Sequence, residues 1–536
     1  MRSTQKMLIA VMTLAIDPGV RVLAPGTAVA QQSGGVLRVG NPANPSSLSI
    51  HEEASITTVQ SVMAVFNNLV LFDPTNQRNS PETIIPDLAE SWAWDAAGTK
   101  LTFKLRTGVH WHDGKPFSAK DVQCTWSRLI GKEPDYFRKN PRRIWYENLK
   151  DITVDGDTSV TFHLARPQPA LLSMLASGMS PVYPCHVAAK DMRTNPIGTG
   201  PFKMVEFKSN EVVRLARNPG YWKPGRPYLD GIEHRVIPNR STRVLALSAG
   251  DLHMTSTGDI SVPVMKDIAS SSPNVVCRLG PTNVSSNILI NSARPPFDNL
   301  QVRRAVMLGM DRQSFIDIMS QGHSSISGVM MALPEGNFGM PKEVLEKLPG
   351  YGGTLESRQT EAKKIMEGLG YGPNKRLKIK VSTRDFSAYK DPAVILVDQL
   401  NKIWFDAELE IIESTVWFGR AGRQDYSIAF NLSGMAIDDP DVTITENFAC
   451  NSDNNFSKYC NPQVDKMLAA QSAERDPEKR KKMVWEIERV LAEDIARPIY
   501  SHGRAAQCWQ PSVKGYVRQE NSIYNHWRLE QVWLER

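Results

Sequence analysis

The sequence lacks the features that mark a membrane protein or a nucleic-acid-binding protein. After residue 30, no stretch of the 536 residues approaches the ~18–20 uninterrupted apolar residues that a membrane-spanning helix needs. The 63 Lys and Arg against 57 Asp and Glu give a net charge of +6, and no block of basic residues stands out. We therefore expect neither a polytopic membrane protein nor a protein whose main partner is nucleic acid.

The sequence also lacks the motifs that carry catalysis. It has no G-x-S-x-G nucleophile elbow, no phosphate-binding P-loop and no G-x-G-x-x-G after a strand. His51 opens a segment that resembles a zinc-binding helix, but the second histidine of that motif is replaced by Ser55. The residues His110, His112 and Asp113 suit a metal by composition, yet their Asp-Gly step is more typical of a turn. We therefore predict no catalytic residue, no metal site and no cofactor.

Cysteine is scarce, and none of the six cysteines has the C-x-x-C spacing of a zinc or redox motif. Cys450 and Cys460 enclose nine residues of a polar segment with almost no apolar anchor. We predict a disulfide there, which would remove about 2.5–3 kcal/mol of unfolded-chain entropy. The pairing of the other four cysteines stays open. A bridge between Cys277 and Cys508 is compatible with the sequence but cannot be deduced from it, and the remaining two cysteines are Cys124 and Cys185.

The first 30 residues are predicted to be an export signal. Arg2 and Lys6 precede an apolar run over residues 7–16, and the small residues 28–30 form an A-x-A cleavage site. The alternative is the N-terminal helix of a cytosolic protein. We expect a periplasmic protein cleaved near Ala30, in a compartment that permits disulfides.

Strands and helices alternate along the rest of the chain, which is typical of α/β lobes. A chain of 536 residues is too long for one hydrophobic core, and its 35 Pro and 35 Gly imply many turns. Period-two alternation predicts strands over residues 36–39, 101–105, 159–164, 214–217, 232–237, 286–290, 377–381 and 409–412. Helical periodicity predicts helices over residues 57–71, 118–129, 302–319, 356–369, 392–403 and 476–498.

A series of segments in a fixed order matches the pattern of one protein family. The longest is residues 88–122, LAESWAWDAAGTKLTFKLRTGVHWHDGKPFSAKDV. The others are residues 198–202 (GTGPF), 217–222 (RNPGYW), 227–230 (PYLD), 246–251 (ALSAGD), 291–311 (NSARPPFDNLQVRRAVMLGMD) and the helix 476–498. Together they cover essentially the whole chain after residue 30. The chain resembles the family 5 solute-binding proteins, the periplasmic dipeptide, oligopeptide and nickel receptors of bacterial ABC importers.

This resemblance implies a bilobal α/β periplasmic binding protein fold with an extra inserted subdomain, pear-shaped and with three domains. The implied division is a signal peptide over 1–30, domain II over 78–197, domain III over 291–497, and a discontinuous domain I over 31–77, 198–290 and 498–536. Ligand would lie between domains I and III, which close about hinge strands.

The implied function is that of a substrate-binding component, which captures a peptide or peptide-like solute and delivers it to an inner-membrane ABC permease. One alternative is a receptor for a nickel chelate, an opine or another small organic solute. Another is an exported hydrolase, against which the missing nucleophile and metal motifs count. The expected partners are the ligand and the permease, and the protein is expected to be a monomer.

The resemblance also implies ligand-binding residues. Arg384 follows a predicted strand, where the dipeptide receptors place an arginine that binds carboxylate in a bidentate fork. Its alternative role is that of a solvated surface arginine. Trp417 and Phe418 follow the strand over 409–412 and are candidates for the pocket wall or, nearly as well, for the core.

Residues 433–441, SGMAIDDPD, match the segment that holds the family's α-amine-binding aspartate. The candidates for ligand contact here are Ser433, Gly434, Asp438 and Asp439. Aligned on the D-P-D end of this segment, the amine-binding position itself falls at Ala436, so a two-residue shift would be needed to place Asp438 there. At Ala436 the sequence therefore departs from the family's pattern for ordinary dipeptide recognition.

Overall fold

Helices and strands alternate along the chain. The structure, a computed structural model, describes residues 31–326, 328–333 and 336–536, so the predicted export signal lies outside the described residues. In these ranges the α-helices are α1 (Ile56–Val62), α2 (Ala119–Leu129), α3 (Leu171–Ala176), α4 (Arg240–Ser248), α5 (Val262–Ser271), α6 (Leu300–Gly309), α7 (Arg312–Ser320), α8 (Lys342–Leu345), α9 (Leu355–Gly368), α10 (Ser387–Asn401), α11 (Ser414–Gly422), α12 (Pro440–Phe448), α13 (Pro462–Ala473) and α14 (Pro477–Glu493).

The strands in the same ranges are β1 (Val36–Asn41), β2 (Val70–Phe72), β3 (Ile84–Pro86), β4 (Ala89–Trp94), β5 (Lys100–Leu105), β6 (Leu149–Asp155), β7 (Ser159–Leu164), β8 (Phe202–Lys208), β9 (Val212–Arg217), β10 (Gly231–Val236), β11 (Met254–Thr255), β12 (Val276–Ile290), β13 (Leu377–Arg384), β14 (Phe405–Ile412), β15 (Ile428–Gly434), β16 (Ile499–Trp509), β17 (Val513–Lys514) and β18 (Trp533–Leu534). No helix within the described residues is both long enough and apolar enough to cross a membrane.

One large mixed sheet organises the fold. Its ten strands lie in the order β14-β13-β15-β12-β16-β11-β1-β10-β9-β8. The long strands β12 and β16 pair antiparallel with each other, and they join the section β13 to β15 to the section that contains β1 and β8 to β11. We call the section β13 to β15 the C-section, and the section that contains β1 and β8 to β11 the N-section. The strands β12 and β16, which we call the crossing strands, therefore connect the two sections.

A second sheet, β4-β5-β7-β6, is antiparallel, and its strands β4 and β5 lie within residues 88–122, the longest segment that resembles the family pattern. Phe103 on β5 and Phe162 on β7 lie on the buried face of this sheet, and both are fully buried. Helix α2 packs on this sheet through Trp126, whose ring centroid lies 5.2 Å from that of Phe162. As predicted, Ser118 begins the helix, in a reciprocal capping box with Asp121.

Two of the predicted helices are interrupted or much shorter in the structure. The helix predicted over 302–319 is two helices, because Met310 is extended and the Asp311 side chain caps α7 by accepting from Ser314 N. The helix predicted over 57–71 ends at Val62, and β2 instead pairs with β3. In both places an apolar pattern continues through a break in helical backbone, so periodicity alone overestimates the helix length.

The six cysteines form three disulfides. The predicted pair Cys450–Cys460 is confirmed. The pair that the sequence left open, Cys277–Cys508, joins directly opposed positions of β12 and β16 across a sequence separation of 231 residues. The third disulfide links α2 to a distant loop and consists of Cys124 and Cys185.

A buried ion cluster connects the C-terminal segment, which we define as residues 515–532 between β17 and β18, to the residues before β4. Arg528 Nη1 donates to Asp87 Oδ2 at 2.7 Å, and Lys223 Nζ lies 3.1 Å from Asp87 Oδ1. Asp87 is fully buried and also accepts from the side chain of Asn67 and the backbone N–H of Asn68. Burial by itself would raise the pKa of Asp87, but the two cations and these hydrogen bonds hold it below the ordinary value of 3.8.

Candidate functional site

A cavity of about 240 Å³ is lined by both sections of the large sheet and by the C-terminal segment. The N-section side contributes residues around the start of α1 and the loop after β11. The C-section side contributes β15, α10, α11 and α12, and the crossing strands β12 and β16 line the space between them. Hydroxyls, amides and aromatic rings dominate this wall, and its carboxylates in the described part of the chain are Asp259 and Glu446.

Arg384 ends β13 and points into this cavity. Only 6% of the residue is exposed, which does not fit a solvated surface arginine. Its Nη1 donates to Tyr389 Oη at 3.2 Å, and its guanidinium carbon lies 4.8 Å from the Tyr389 ring centroid and 5.1 Å from that of Phe418. Its buried Nε has no hydrogen-bond partner, and no carboxylate of the described residues lies within 4 Å. The aromatic rings hold the guanidinium and leave N–H groups for a ligand.

Trp417 lies in the core and not in the cavity wall, which is the second of the two roles that the sequence left open for it. It is fully buried on α11 in a cluster with Leu289, Ile412 and Tyr426. Its neighbour Phe418 lines the cavity instead. Consecutive helical residues point about 100° apart, so only one of these two aromatics can face the cavity.

Ser433 and Gly434, at the end of β15, both line the cavity. Arg497 Nη2 donates to Ser433 Oγ at 2.7 Å, which orients this hydroxyl. A Cβ on Gly434 would lie 2.9 Å from Tyr524 Oη and 3.3 Å from Ile523 Cδ1, so a side chain here would push against the cavity wall. Glycine at this position therefore allows the C-terminal segment to approach β15 closely. Ligand contact by Ser433 and Gly434 stays a prediction.

Asp438 and Asp439, the other two predicted ligand contacts, lie outside the cavity lining, and their contact with a ligand stays a prediction. Asp438 accepts from the backbone N–H of Asn337 at 3.0 Å, and burial raises its pKa to about 7. Asp439 caps α12 and forms a bidentate ion pair with Arg480, with N–O distances of 2.7 and 2.8 Å. Ala436 does line the cavity. The chain leaves the cavity wall after Ala436, so both aspartates lie in the turn after β15 and at the start of α12 instead of facing the cavity.

Most residues at the cavity are not predicted from the sequence, and three of them matter most for its charge and hydrogen bonding. Glu446 on α12 and Tyr524 in the C-terminal segment line the cavity, and Arg497, just before β16, contacts lining residues. Burial raises the pKa of the Tyr524 phenol above its ordinary value, so this group stays a neutral donor. No local motif marks any of the three, and an arginine followed by proline at 497–498 indicates only the end of a helix.

The two aromatic positions of α11 make a testable contrast. We expect Trp417→Phe to lower the free energy of unfolding by about 1–3 kcal/mol and to leave solute affinity unchanged, because Trp417 is a core residue. We expect Phe418→Leu to weaken affinity about three- to tenfold with little loss of stability, because its ring contacts the Arg384 guanidinium. Thermal unfolding measures the stability, and titration with a small solute that binds in the cavity measures the affinity. Loss of affinity in Trp417→Phe alone would contradict this assignment.

A cavity lined by two sections of one sheet, with two long strands crossing between the sections, defines a bilobal solute-binding protein. A model of the bacterial extracellular solute-binding proteins, family 5 (middle region), matches residues 83–455, more than half of the chain. The chain belongs to this family of extracellular solute-binding proteins.

Individual relatives are distant but cover nearly the full length. A probable di/tripeptide-binding protein 5 of Pseudomonas aeruginosa is 26% identical over 92% of this chain and 95% of its own. The periplasmic oligopeptide-binding protein OppA of Haemophilus influenzae is 27% identical over 89% of this chain and 90% of its own. The structure of that OppA with the peptide RPPGFSPFR has a TM-score of 0.83 at 22% identity and covers 95% of this chain and 100% of its own. This likeness shows the fold.

Proposed function

We propose that this protein is the periplasmic receptor of an ABC importer, and that it captures a peptide or peptide-like carboxylate in the cavity for an inner-membrane permease. The names of its relatives, di/tripeptide-binding and oligopeptide-binding proteins, support the class of solute. Three disulfides among the described residues support an oxidising compartment. The chain is proposed to be exported by residues 1–30, cleaved near Ala30, and to act as a monomer.

One observation carries the choice of solute. Arg384 is buried in the cavity, and no carboxylate of the described residues lies within 4 Å of its guanidinium. A buried charge without a partner is unfavourable because it has lost its hydration. A solute carboxylate would neutralise this charge and accept two hydrogen bonds from the planar guanidinium. A peptide C-terminus and an opine both carry such a group, so the two remaining classes of solute share this contact.

We propose that binding closes the two sections about the crossing strands. The expected boundary between domains I and III falls after residue 290 and after residue 497. Strand β12 ends at the first of these positions, and β16 begins two residues after the second. Short bends in two paired strands would turn one section relative to the other while the sheet stays intact. The division into domain I (31–77, 198–290, 498–536), domain II (78–197) and domain III (291–497) follows this proposal.

The test is to identify the solute and to measure its effect on stability. Protein purified from the periplasm is analysed by native mass spectrometry, since a receptor that binds tightly retains its solute. A pooled dipeptide library is then added to protein that has been freed of solute. A member that binds only the folded state adds about 2.7 kcal/mol at a hundredfold excess over Kd, so the melting temperature should rise. Absence of any carboxylate-bearing solute, retained or added, would contradict the proposal.

The same samples test whether binding occurs without turnover. We propose that the protein returns its solute unchanged, as a transport receptor must. Mass spectrometry of the library after overnight incubation should find every peptide at its original mass. Cleavage products that increase with protein concentration would instead favour the exported hydrolase.

A further inference from the structure

Three buried arginines and a single carboxylate surround one end of the cavity. Arg384 lines it, Arg497 donates to the lining residue Ser433, and Arg142 lies next to the lining residue Glu446. Arg497 and Arg142 are at most 3% exposed, and both guanidiniums are as buried as the side chains of the core. Burial lowers the pKa of Arg497 to about 10, so it is still charged at neutral pH.

The one carboxylate neutralises only one of these cations. Arg142 Nη1 lies 3.9 Å from Glu446 Oε1, which is the shortest distance between any of the three guanidiniums and a carboxylate of the described residues. Arg497 instead donates to neutral acceptors, which are Asn287 Oδ1 at 2.8 Å, Ser433 Oγ at 2.7 Å and Asn447 Oδ1. If Glu446 is matched to Arg142, the charges of Arg384 and Arg497 are left without a carboxylate.

Neither carboxylate of the lining is available for an ammonium group. Glu446 accepts from Trp145 Nε1 at 3.0 Å and from the Asn454 side chain, in addition to its contact with Arg142. Asp259 is held by fully buried Arg243, whose Nε donates to Asp259 Oδ2 at 2.7 Å. A solute ammonium would have to displace one of these partners.

We infer that the cavity selects a solute of net negative charge whose α-amine is blocked or absent, such as an N-acylated peptide or an imino-linked dicarboxylate. This inference rests on the proposed function and narrows its class of solute. The unmatched guanidinium of Arg384 in the lining, and that of Arg497 directly behind the lining residue Ser433, attract anionic groups and disfavour a free ammonium.

The first experiment uses three pools that contain the same dipeptides with free termini, with an acetylated N-terminus, or with an amidated C-terminus. Competition in native mass spectrometry compares them on solute-free protein. We expect the acetylated pool to bind at least as tightly as the free pool and the amidated pool to bind at least thirtyfold more weakly. Weakening by more than threefold on acetylation would overturn the inference and leave the peptide receptor in place.

The second experiment needs no solute, so it tests the unmatched charge on which the inference rests even if every pool fails and the peptide proposal with it. In solute-free protein at low salt, Arg384→Met removes an unmatched charge and should raise the melting temperature by about 1–3 °C. The matched control is Arg243→Met, which leaves Asp259 buried without its partner and should lower the melting temperature. An unchanged or lower melting temperature in Arg384→Met would overturn the inference.

Discussion

Arg384→Ala is expected to lose most of its affinity for a carboxylate-bearing solute. Removing one partner of a buried, hydrogen-bonded charge pair costs about 2–5 kcal/mol, which is roughly a thirtyfold to several-thousandfold increase in Kd. The effect is large because Arg384 is buried and its guanidinium is already positioned by Tyr389 and Phe418. Calorimetric titration with the tightest-binding member of the dipeptide pools measures the change.

Two further variants separate the role of this side chain from its charge. Arg384→Lys keeps a positive charge but loses the planar fork, so its affinity should lie between those of the wild type and Arg384→Ala. Lys380→Ala removes an exposed positive charge from the same strand, outside the cavity lining, and should bind normally. Equal affinity of Arg384→Ala and the wild type would show that the solute carboxylate binds elsewhere.

Asp87→Ala is expected to lower the free energy of unfolding by about 3–5 kcal/mol, a large loss for a single substitution. Asp87 is fully buried, and its removal leaves Arg528, which is 1% exposed, without its ion-pair partner. Lys223 would lose one of its two carboxylates, since it also lies 2.7 Å from Glu530. Denaturant unfolding measures the loss, and the C-terminal segment should become accessible to protease first.

The pH dependence of this effect follows from the lowered pKa of Asp87. The ionised carboxylate contributes its stabilisation above the ordinary pKa of 3.8, and that contribution is lost as the pH falls through the lower pKa of the folded state. Wild type and Asp87→Ala should therefore converge in stability in strong acid. The control Glu486→Ala breaks an exposed pair with Arg489 and should change stability by no more than about 0.5 kcal/mol. A similarly small change in Asp87→Ala would contradict the role of the ion cluster.

The two predictions describe opposite uses of buried arginine in one protein. Arg528 has its carboxylate within the chain and stabilises the fold, whereas Arg384, which has no carboxylate of the described residues within 4 Å, is proposed to bind one from the solute. The costs of burying the two guanidiniums are similar, because both have lost most of their water. The location of the counter-charge decides whether the arginine supports stability or binding.

The local pattern of the sequence was enough to predict many of the strands and helices. The alternation of β5, the capping of α2 by Ser118 and the disulfide Cys450–Cys460 all depend on residues close together in the chain. The same is true of Arg384, which could be placed at the end of a strand from a few neighbouring residues. Short-range rules of backbone geometry are sufficient in such cases.

Only the tertiary structure decided which side chains reach the cavity. Trp417 and Phe418 are adjacent aromatic residues, and the packing of α11 on the sheet places Trp417 in the core and Phe418 in the cavity wall. Asp438 and Asp439 are turned away by the bend after β15. The convergence of Arg497 and Glu446, and the pairing of Cys277 with Cys508, depend on contacts between distant segments. Such contacts depend on how whole elements pack and pair, and no short window of sequence contains that information.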